Sequence, residues 1–275
     1  MGRAAVFQMT SGIDPAANAE ALVGAIGAAA MGGASMLFTP EMSGLVDRDR
    51  SRAAKNIVPE DDSPVLAAVR NCAADAGIWV ALGSLPVKRQ DGRWANRSFV
   101  IDGAGAIAAR YDKIHMFDVD LATGESWRES SAYAPGEQVV TVQTPLGRLG
   151  IAVCYDLRFP ALFEALGRAR CDLIAIPAAF TVPTGKAHWH VLQRARAIEA
   201  SAYVVAAAQT GHHADGRDTY GHSLVVDPWG DILLDMGDSP AGLGFAEVDS
   251  ARITAIRSQL PSLANKRPMP GVTAS

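Results

Sequence analysis

Three side chains with the chemistry for nucleophilic catalysis each follow an apolar, strand-like run. Cys154 ends the run in GIAVCYDLRFP, Glu41 follows the run in LFTPE, and Lys113 follows the run in ARYDKIH. In α/β folds, ligands bind at the carboxyl ends of strands. A carboxylate base and an ammonium electrostatic clamp beside a thiol would suit attack on an electrophilic carbon. Taken singly, however, a charged residue after a strand is usually only solvated.

Cys154 has two interpretations. A cysteine in an apolar strand is often a small buried hydrophobe. The helix predicted to begin at Pro160 favours a nucleophile instead, because its dipole and free N–H groups would lower the pKa of the thiol and receive an oxyanion. This local pattern leaves both interpretations open. The other two cysteines, Cys72 in a predicted helix and Cys171 at a helix–strand junction, are predicted to be structural.

The histidines of this chain show neither a triad pattern nor a metal-ligand pattern. His188 and His190 are two residues apart, which places their rings on different faces of a helix. His212 and His213 lie in a loop without an accompanying thiolate or carboxylate pattern. The sequence therefore predicts no metal site, and it directs attention to a carboxylate as the base.

Strand and helix signals alternate along the whole sequence. A capping aspartate or serine and a terminal glycine delimit two predicted helices, Asp14 to Gly32 and Ser63 to Gly77. We expect one α/β domain over residues 1–275, because no linker or internal repeat divides the chain. The longest stretch without a clear period runs from Asp112 to Gly136, and a loop of this length is predicted to be functional.

Composition limits the possible partners and the compartment. The chain has 25 Lys+Arg against 29 Asp+Glu, a net charge of −4, and no basic run that would indicate a nucleic-acid partner. No apolar run suits a signal peptide or a membrane span. Three cysteines without CxxC spacing indicate a reducing, cytoplasmic setting. Because the sequence ends near residue 275, we expect a stand-alone protein without an attached partner domain.

The ordered set of motifs resembles the nitrilase superfamily. Glu41, Lys113 and Cys154 match its Glu–Lys–Cys triad in order and context. The segment RESSAYAPG is similar to the family segment that carries a second glutamate, here Glu129. Two longer segments, AHWHVLQRARAIEASAYVVAAAQTG and YGHSLVVDPWG, resemble the Nit branch of this superfamily. The resemblance covers nearly the whole chain.

This resemblance implies a fold and a set of roles. The family fold is a four-layer α-β-β-α sandwich that forms a homodimer or a higher homo-oligomer, with no metal or organic cofactor. Cys154 would attack an amide carbon, and Glu41 would act as the general base. Lys113 and the backbone N–H of Tyr155 would stabilise the oxyanion. Glu129 would orient Lys113 or the attacking water.

The resemblance also implies a class of substrate, namely a small molecule with a carboxylate and a terminal amide that is hydrolysed to acid and ammonia. Deaminated glutathione is favoured, and 2-oxoglutaramate (an ω-amidase) and an N-carbamoyl amino acid are the alternatives. Arg158 could bind the substrate carboxylate or form an ion pair that fixes the corner. Phe180 and Thr181 are predicted to line the site. A non-catalytic scaffold protein is the competing class of function, and the intact triad argues against it.

Overall fold

The computed structural model describes residues 1–122, 124–271 and 273. The strands, in chain order, are β1 (Gly2–Gln8), β2 (Met36–Phe38), β3 (Trp79–Lys88), β4 (Trp94–Ile101), β5 (Ile107–Asp112), β6 (Asp118–Asp120), β7 (Ser126–Arg128), β8 (Thr141–Thr144), β9 (Gly147–Ile151), β10 (Leu173–Ala175), β11 (Tyr203–Ala206), β12 (Thr210–His212), β13 (Asp218–Tyr220), β14 (Leu224–Val226), β15 (Ile232–Asp235) and β16 (Gly242–Val248). The α-helices are α1 (Pro15–Met31), α2 (Arg50–Ala53), α3 (Pro64–Ala76), α4 (Pro160–Arg168), α5 (Val182–Ala200), α6 (Ser250–Gln259) and α7 (Ser262–Asn265). Short 3-10 helices span Glu60–Asp62, Glu129–Ser131 and Cys154–Arg158.

Two six-stranded sheets form the centre of the molecule. Their strand orders are β16-β1-β2-β3-β4-β5 and β15-β14-β11-β10-β9-β8. Strands β1, β2 and β3 are parallel, and β5 runs in the same direction because β3–β4 and β4–β5 are both antiparallel. The carboxyl ends of β2 and β5 therefore lie at one edge of the first sheet. Strand β9, which leads to the Cys154 corner, is parallel to β10 in the second sheet.

The layers follow from the alternation of side chains along the strands. Ala4 of β1 packs in a core with Ile174 of the second sheet, whereas its neighbour Ala5 packs in another core with Leu22 of α1. Successive side chains of a strand point to opposite faces, so the first sheet is covered by the second sheet on one face and by α1 and α3 on the other. Helices α4 and α5 cover the second sheet, and Trp189 of α5 is fully buried there. This arrangement confirms the predicted α-β-β-α sandwich.

The predicted helix boundaries are confirmed by their caps. The Asp14 side chain accepts a hydrogen bond from the Ala16 amide at 2.9 Å, and Pro15 occupies the first turn of α1. Helix α3 ends at Ala76 and is capped by Gly77, which has a φ of 64° in the left-handed region that glycine tolerates best. None of the helices in the described parts of the chain is long and apolar enough to span a membrane.

Two predicted strands are shorter than their apolar runs. The run DLIAIPAAF forms a strand only over Leu173–Ala175, because Pro177 has no N–H to donate to a ladder. Phe180 and Thr181 therefore lie beyond the strand, in the connection to α5. Strand β9 likewise ends at Ile151, three residues before Cys154.

The predicted 112–136 loop contains regular structure. Strands β6 and β7 form a hairpin in which Val119 pairs with Trp127. The Leu121 amide donates to the Glu125 carbonyl at 2.8 Å, and this bond closes the hairpin end. Three-residue strands are too short to produce a readable period in the sequence, which is why the hairpin was not predicted.

Candidate active site

The Cys154 corner has a constrained backbone. Cys154 has a φ of 49°, a left-handed conformation that is uncommon outside glycine and asparagine. Its amide donates to the Pro177 carbonyl at 2.9 Å, which ties the corner to the chain that follows β10. The side chain is 7% exposed. Strained conformations of this kind persist where the surrounding structure holds them, and they cluster at active sites.

A buried carboxylate, Asp156, holds this corner against the segment that carries Lys113. One oxygen accepts hydrogen bonds from the Tyr111 hydroxyl at 2.7 Å and the Val153 amide at 2.9 Å. The other oxygen contacts the His115 amide at 3.0 Å and the His115 ring Nδ1 at 2.6 Å. Tyr111 and His115 flank Lys113 in the sequence, so Asp156 fixes the distance between the Cys154 corner and the lysine.

Glu41 reaches the same place from the end of β2. The chain turns through Thr39 and Pro40, which lie directly against Gly83 of β3. A Cβ atom on Gly83 would lie 2.1 Å from the Thr39 carbonyl oxygen, so this close approach requires glycine. The Glu41 side chain is buried, and its Oε2 accepts a hydrogen bond from the Ala179 amide at 2.9 Å.

Lys113 lies between two carboxylates. Its Nζ is 3.0 Å from Glu41 Oε1 and 2.8 Å from Glu129 Oε2, and its side chain is 2% exposed. Glu129 is itself held by the Phe117 amide, which donates to Oε2 at 2.7 Å. The predicted group of Glu41, Lys113, Glu129 and Cys154 is therefore brought together by four separate segments of the chain.

Asn96 completes this arrangement and was not predicted from the sequence. Its Nδ2 donates to Glu41 Oε1 at 2.8 Å and to Glu129 Oε1 at 3.1 Å, so one amide group positions both carboxylates. Asn96 is fully buried within β4. An asparagine inside an otherwise strand-like run is unfavourable for a strand. That mismatch is the signal that could have identified it.

The charges of Lys113 and Cys154 follow from this burial. Burial alone would lower the pKa of Lys113, but the two adjacent carboxylates outweigh it and hold that pKa well above its usual value. The ammonium group is therefore a permanent positive charge at the site. The pKa of the Cys154 thiol is raised well above its usual value, by burial and by the negative charge of Glu41.

The expectation of a depressed thiol pKa was therefore wrong. The lowering was expected from the helix that begins at Pro160, but Cys154 lies six residues earlier, in a separate 3-10 helix. A macrodipole acts within the first turn of a helix. Burial and the Glu41 charge dominate at the sulfur, and both favour the neutral thiol over the thiolate.

These groups open onto one cavity of about 710 Å³. Phe180 and Thr181 line its wall together with Tyr155, as predicted for this edge. The 112–136 segment contributes a further wall, which includes Trp127 and Arg128 of β7. The Tyr155 amide lies in the first turn of the Cys154–Arg158 helix, where amides have no partner within the helix.

Arg158 also lines the cavity. Its Nη1 lies 3.3 Å from His188 Nδ1, and its guanidinium faces the rings of Tyr155 at 5.9 Å and Phe180 at 5.5 Å. Within the described residues it makes no salt bridge. Arg158 was alternatively expected to form an ion pair that fixes the Cys154 corner. In the part of the chain that is described, its guanidinium has no carboxylate partner for such a pair.

Comparison with known proteins places this geometry in a family. The carbon-nitrogen hydrolase family profile matches residues 3–258. A deaminated glutathione amidase from Yersinia enterocolitica is 40% identical over 238 residues, which are 86% of this chain and 82% of that protein.

Two solved structures have the same fold. Saccharomyces cerevisiae Nit3, a member of branch 10 of the nitrilase superfamily, superimposes with a TM-score of 0.84 at 27% identity, over 94% of this chain and 94% of its own. A mutant amidase from Nesterenkonia sp. AN1, with acrylamide added at its active-site cysteine, superimposes with a TM-score of 0.79 at 26% identity, over 95% of this chain and 98% of its own. The chain therefore belongs to the carbon-nitrogen hydrolase family and is an enzyme of that family, with the nitrilase fold and a small-molecule amide as its substrate.

Proposed function

We propose that this enzyme hydrolyses the amide bond of deaminated glutathione through a thioester on Cys154. The observation that carries the proposal is the convergence of Glu41, Lys113, Glu129 and Cys154 on one buried point of a single cavity. The substrate is taken from the Yersinia enterocolitica relative, whose name specifies deaminated glutathione.

In the proposed first half-reaction, Glu41 removes the thiol proton as Cys154 Sγ attacks the amide carbon. The negative charge that develops on the carbonyl oxygen is stabilised by the Lys113 ammonium and by the Tyr155 amide. Glu41 then returns the proton to the departing nitrogen, the C–N bond breaks, and the acyl group remains on the sulfur as a thioester. Glu129 acts as a positioning residue that holds Lys113 in place.

In the second half-reaction, water attacks the thioester carbon and Glu41 takes its proton. The tetrahedral intermediate uses the same Lys113 and Tyr155 contacts. When the C–S bond breaks, the sulfur recovers its proton from Glu41 and the acid is released. The thiol with its raised pKa is regenerated, and the cycle requires neither a metal ion nor an organic cofactor.

The leaving group depends on which amide is bound. In deaminated glutathione, the scissile amide joins a 2-oxo dicarboxylate unit to cysteinylglycine. The dipeptide amine therefore departs, in place of the ammonia expected from the sequence, and 2-oxoglutarate is the acid. With 2-oxoglutaramate, the same acid forms and ammonia departs. Both substrates therefore carry the same acyl group, and they differ only on the leaving-group side of the cavity.

We propose that Arg158 binds the carboxylate of this acyl group. Its guanidinium lines the cavity and has no carboxylate partner within the described residues. Phe180 and Thr181, on the same wall, would pack against the carbon chain. A substrate carboxylate would complete the bidentate contact that guanidinium groups favour.

The test compares three substrates with purified enzyme: deaminated glutathione, 2-oxoglutaramate and an N-carbamoyl amino acid. 2-oxoglutarate is measured for the first two and ammonia for the last two, with Cys154→Ala as the inactive control. We expect the highest kcat/KM with deaminated glutathione. A higher value with 2-oxoglutaramate would make the enzyme an ω-amidase, and reaction only with the carbamoyl compound would make it a carbamoylase. No turnover of any of the three would refute the proposal.

We further propose that the enzyme is a single-domain cytoplasmic homodimer. Apolar side chains that are exposed on α5 and β15, including Val191, Ile198 and Leu233, support an association surface. Analytical ultracentrifugation should show twice the chain mass, and a monomer at micromolar concentration would contradict this. Fractionation of the source cells would test the compartment.

A further inference from the structure

Three potential metal ligands meet on the surface, outside the catalytic cavity. His190 lies on α5, His222 lies between β13 and β14, and Asp235 ends β15. His190 Nε2 is 3.0 Å from Asp235 Oδ2, and His222 Nδ1 is 3.0 Å from Asp235 Oδ1. All three donor atoms lie within 4.8 Å of one another. The three side chains are partly exposed and therefore accessible from solvent.

We propose that His190, His222 and Asp235 form a binding site for a divalent transition-metal ion of the zinc class. Imidazole nitrogens and a carboxylate are ligands that zinc prefers, at bond lengths of about 2.0–2.2 Å. These lengths place neighbouring ligand atoms about 3.3 Å apart in a tetrahedron. The two histidine–aspartate distances of 3.0 Å are close to that value. Partial exposure leaves the fourth position to water.

The His222 ligand is held in place before any ion binds. Its backbone has a φ of 54°, in the left-handed region, and its carbonyl accepts a hydrogen bond from Trp189 Nε1 at 2.8 Å. The Tyr220 ring stacks on the imidazole, with centroids 4.3 Å apart. A non-glycine residue in this conformation has to be held by its surroundings. Here the neighbouring contacts direct the ring toward Asp235.

The Asp235 carboxylate is also fixed in orientation. Besides the two imidazoles, it accepts a hydrogen bond from the Gly237 amide at 2.9 Å. The backbone bond remains available when an ion replaces the two imidazole contacts.

An ion at this point would join α5 to the edge of the second sheet. Trp189, which neighbours His190 on α5, packs against Phe180 at a centroid distance of 4.8 Å. A metal ion at the proposed site would therefore stabilise the packing beneath the cavity wall, and it would take no part in the reaction. Any ligand that binds only the folded state raises its stability. Metal binding should therefore raise the melting temperature.

The test uses tag-free, chelator-treated enzyme and isothermal titration with Zn²⁺ alone. We expect one tight site per chain and a melting temperature that increases with Zn²⁺, whereas Mg²⁺, which prefers oxygen ligands, should do neither. His190→Ala and Asp235→Asn should each weaken Zn²⁺ binding at least tenfold. His212→Ala is the matched control, because His212 makes an equally short contact with Asp218, 2.9 Å, and no third ligand joins this pair among the described residues.

Two results would overturn the proposal. One is the absence of Zn²⁺ binding to the wild-type enzyme at micromolar concentrations. The other is binding that survives unchanged in both His190→Ala and Asp235→Asn, which would assign the ion to another site such as the active-site thiol. Neither readout is enzymatic activity, so the outcome is independent of the proposed substrate.

Discussion

Replacing Lys113 by methionine tests the proposed centre most directly. Methionine has similar length and no charge, so the substitution removes the ammonium group with little change in volume. Lys113 Nζ lies within 3.0 Å of both Glu41 and Glu129. The substitution therefore leaves two buried carboxylates without their shared cation, and it removes the charge proposed to stabilise the oxyanion.

Both effects have an expected size. Removing one partner of a buried ion pair typically costs about 3–5 kcal/mol of stability, because the remaining charge has lost its solvent and its counterion. Loss of one oxyanion donor typically lowers kcat by about 10²–10³-fold. Lys113→Met should therefore show a decrease of about 3–5 kcal/mol in the free energy of unfolding and a loss of about two to three orders of magnitude in kcat.

The assays are urea unfolding and 2-oxoglutarate release from deaminated glutathione. Lys88→Met is the matched control, because Lys88 lies exposed at the end of β3. A second variant, Lys113→Met with Glu129→Gln, separates the two effects. Neutralising Glu129, which has lost its cation, should recover part of the free energy of unfolding. The kcat should stay low, because the oxyanion still lacks the Lys113 charge.

Near-normal kcat in Lys113→Met, with a folded protein, would refute the oxyanion role. Unchanged unfolding free energy would refute the claim that Lys113 compensates two buried negative charges. Recovery of kcat in the double variant would show that the loss came from carboxylate repulsion and not from the missing positive charge.

Three further predictions concern the thiol, a glycine and a histidine. The rate of Cys154 alkylation by iodoacetamide, followed by mass spectrometry, should rise about tenfold per pH unit from pH 7 to 8.5, because only the thiolate reacts and burial raises the thiol pKa. A rate that does not change with pH would contradict this. Gly83→Ala should lower both kcat and the free energy of unfolding, because its Cβ would lie 2.3 Å from the Pro40 carbonyl oxygen. Gly27→Ala is the control, since no atom lies within 4 Å of its Cβ, and it should raise the free energy of unfolding by about 0.5–1 kcal/mol. Burial lowers the pKa of His213, so as pH decreases below 6.5 the unfolded state takes up the proton first and the free energy of unfolding in urea should decrease. His213→Gln should make the free energy of unfolding depend less steeply on pH, and an unchanged dependence would contradict the assignment.

The common location of the candidate catalytic residues was predictable because the strand topology constrains where each of them lies. Glu41 and Lys113 follow strands that run in the same direction in one sheet, so their common edge could be expected from the order of elements alone. Cys154 follows a strand of the second sheet, and the resemblance to a known family related it to the other two. The caps at Asp14 and Gly77 were predictable for a similar reason, since they depend on neighbours within a few residues.

The supporting residues were not predictable in this way. Asn96 and Asp156 act through partners that are 33 to 55 and 41 to 45 residues away, respectively, apart from the local Val153 contact. No local pattern encodes such pairings. The direction of the Cys154 pKa shift was mispredicted because a helix dipole can be inferred from sequence, whereas burial and the distance to Glu41 cannot.

The sequence by itself determined the alternation of elements, the ends of the helices and the residue types available for catalysis, because these depend on local propensity and periodicity. Only the tertiary structure decided which charges share a buried space and therefore which protonation states they hold. The same distinction applies to His190. Its helical spacing from His188 predicted no metal site, and its two partners, His222 and Asp235, are brought to it by the packing of α5 against the second sheet.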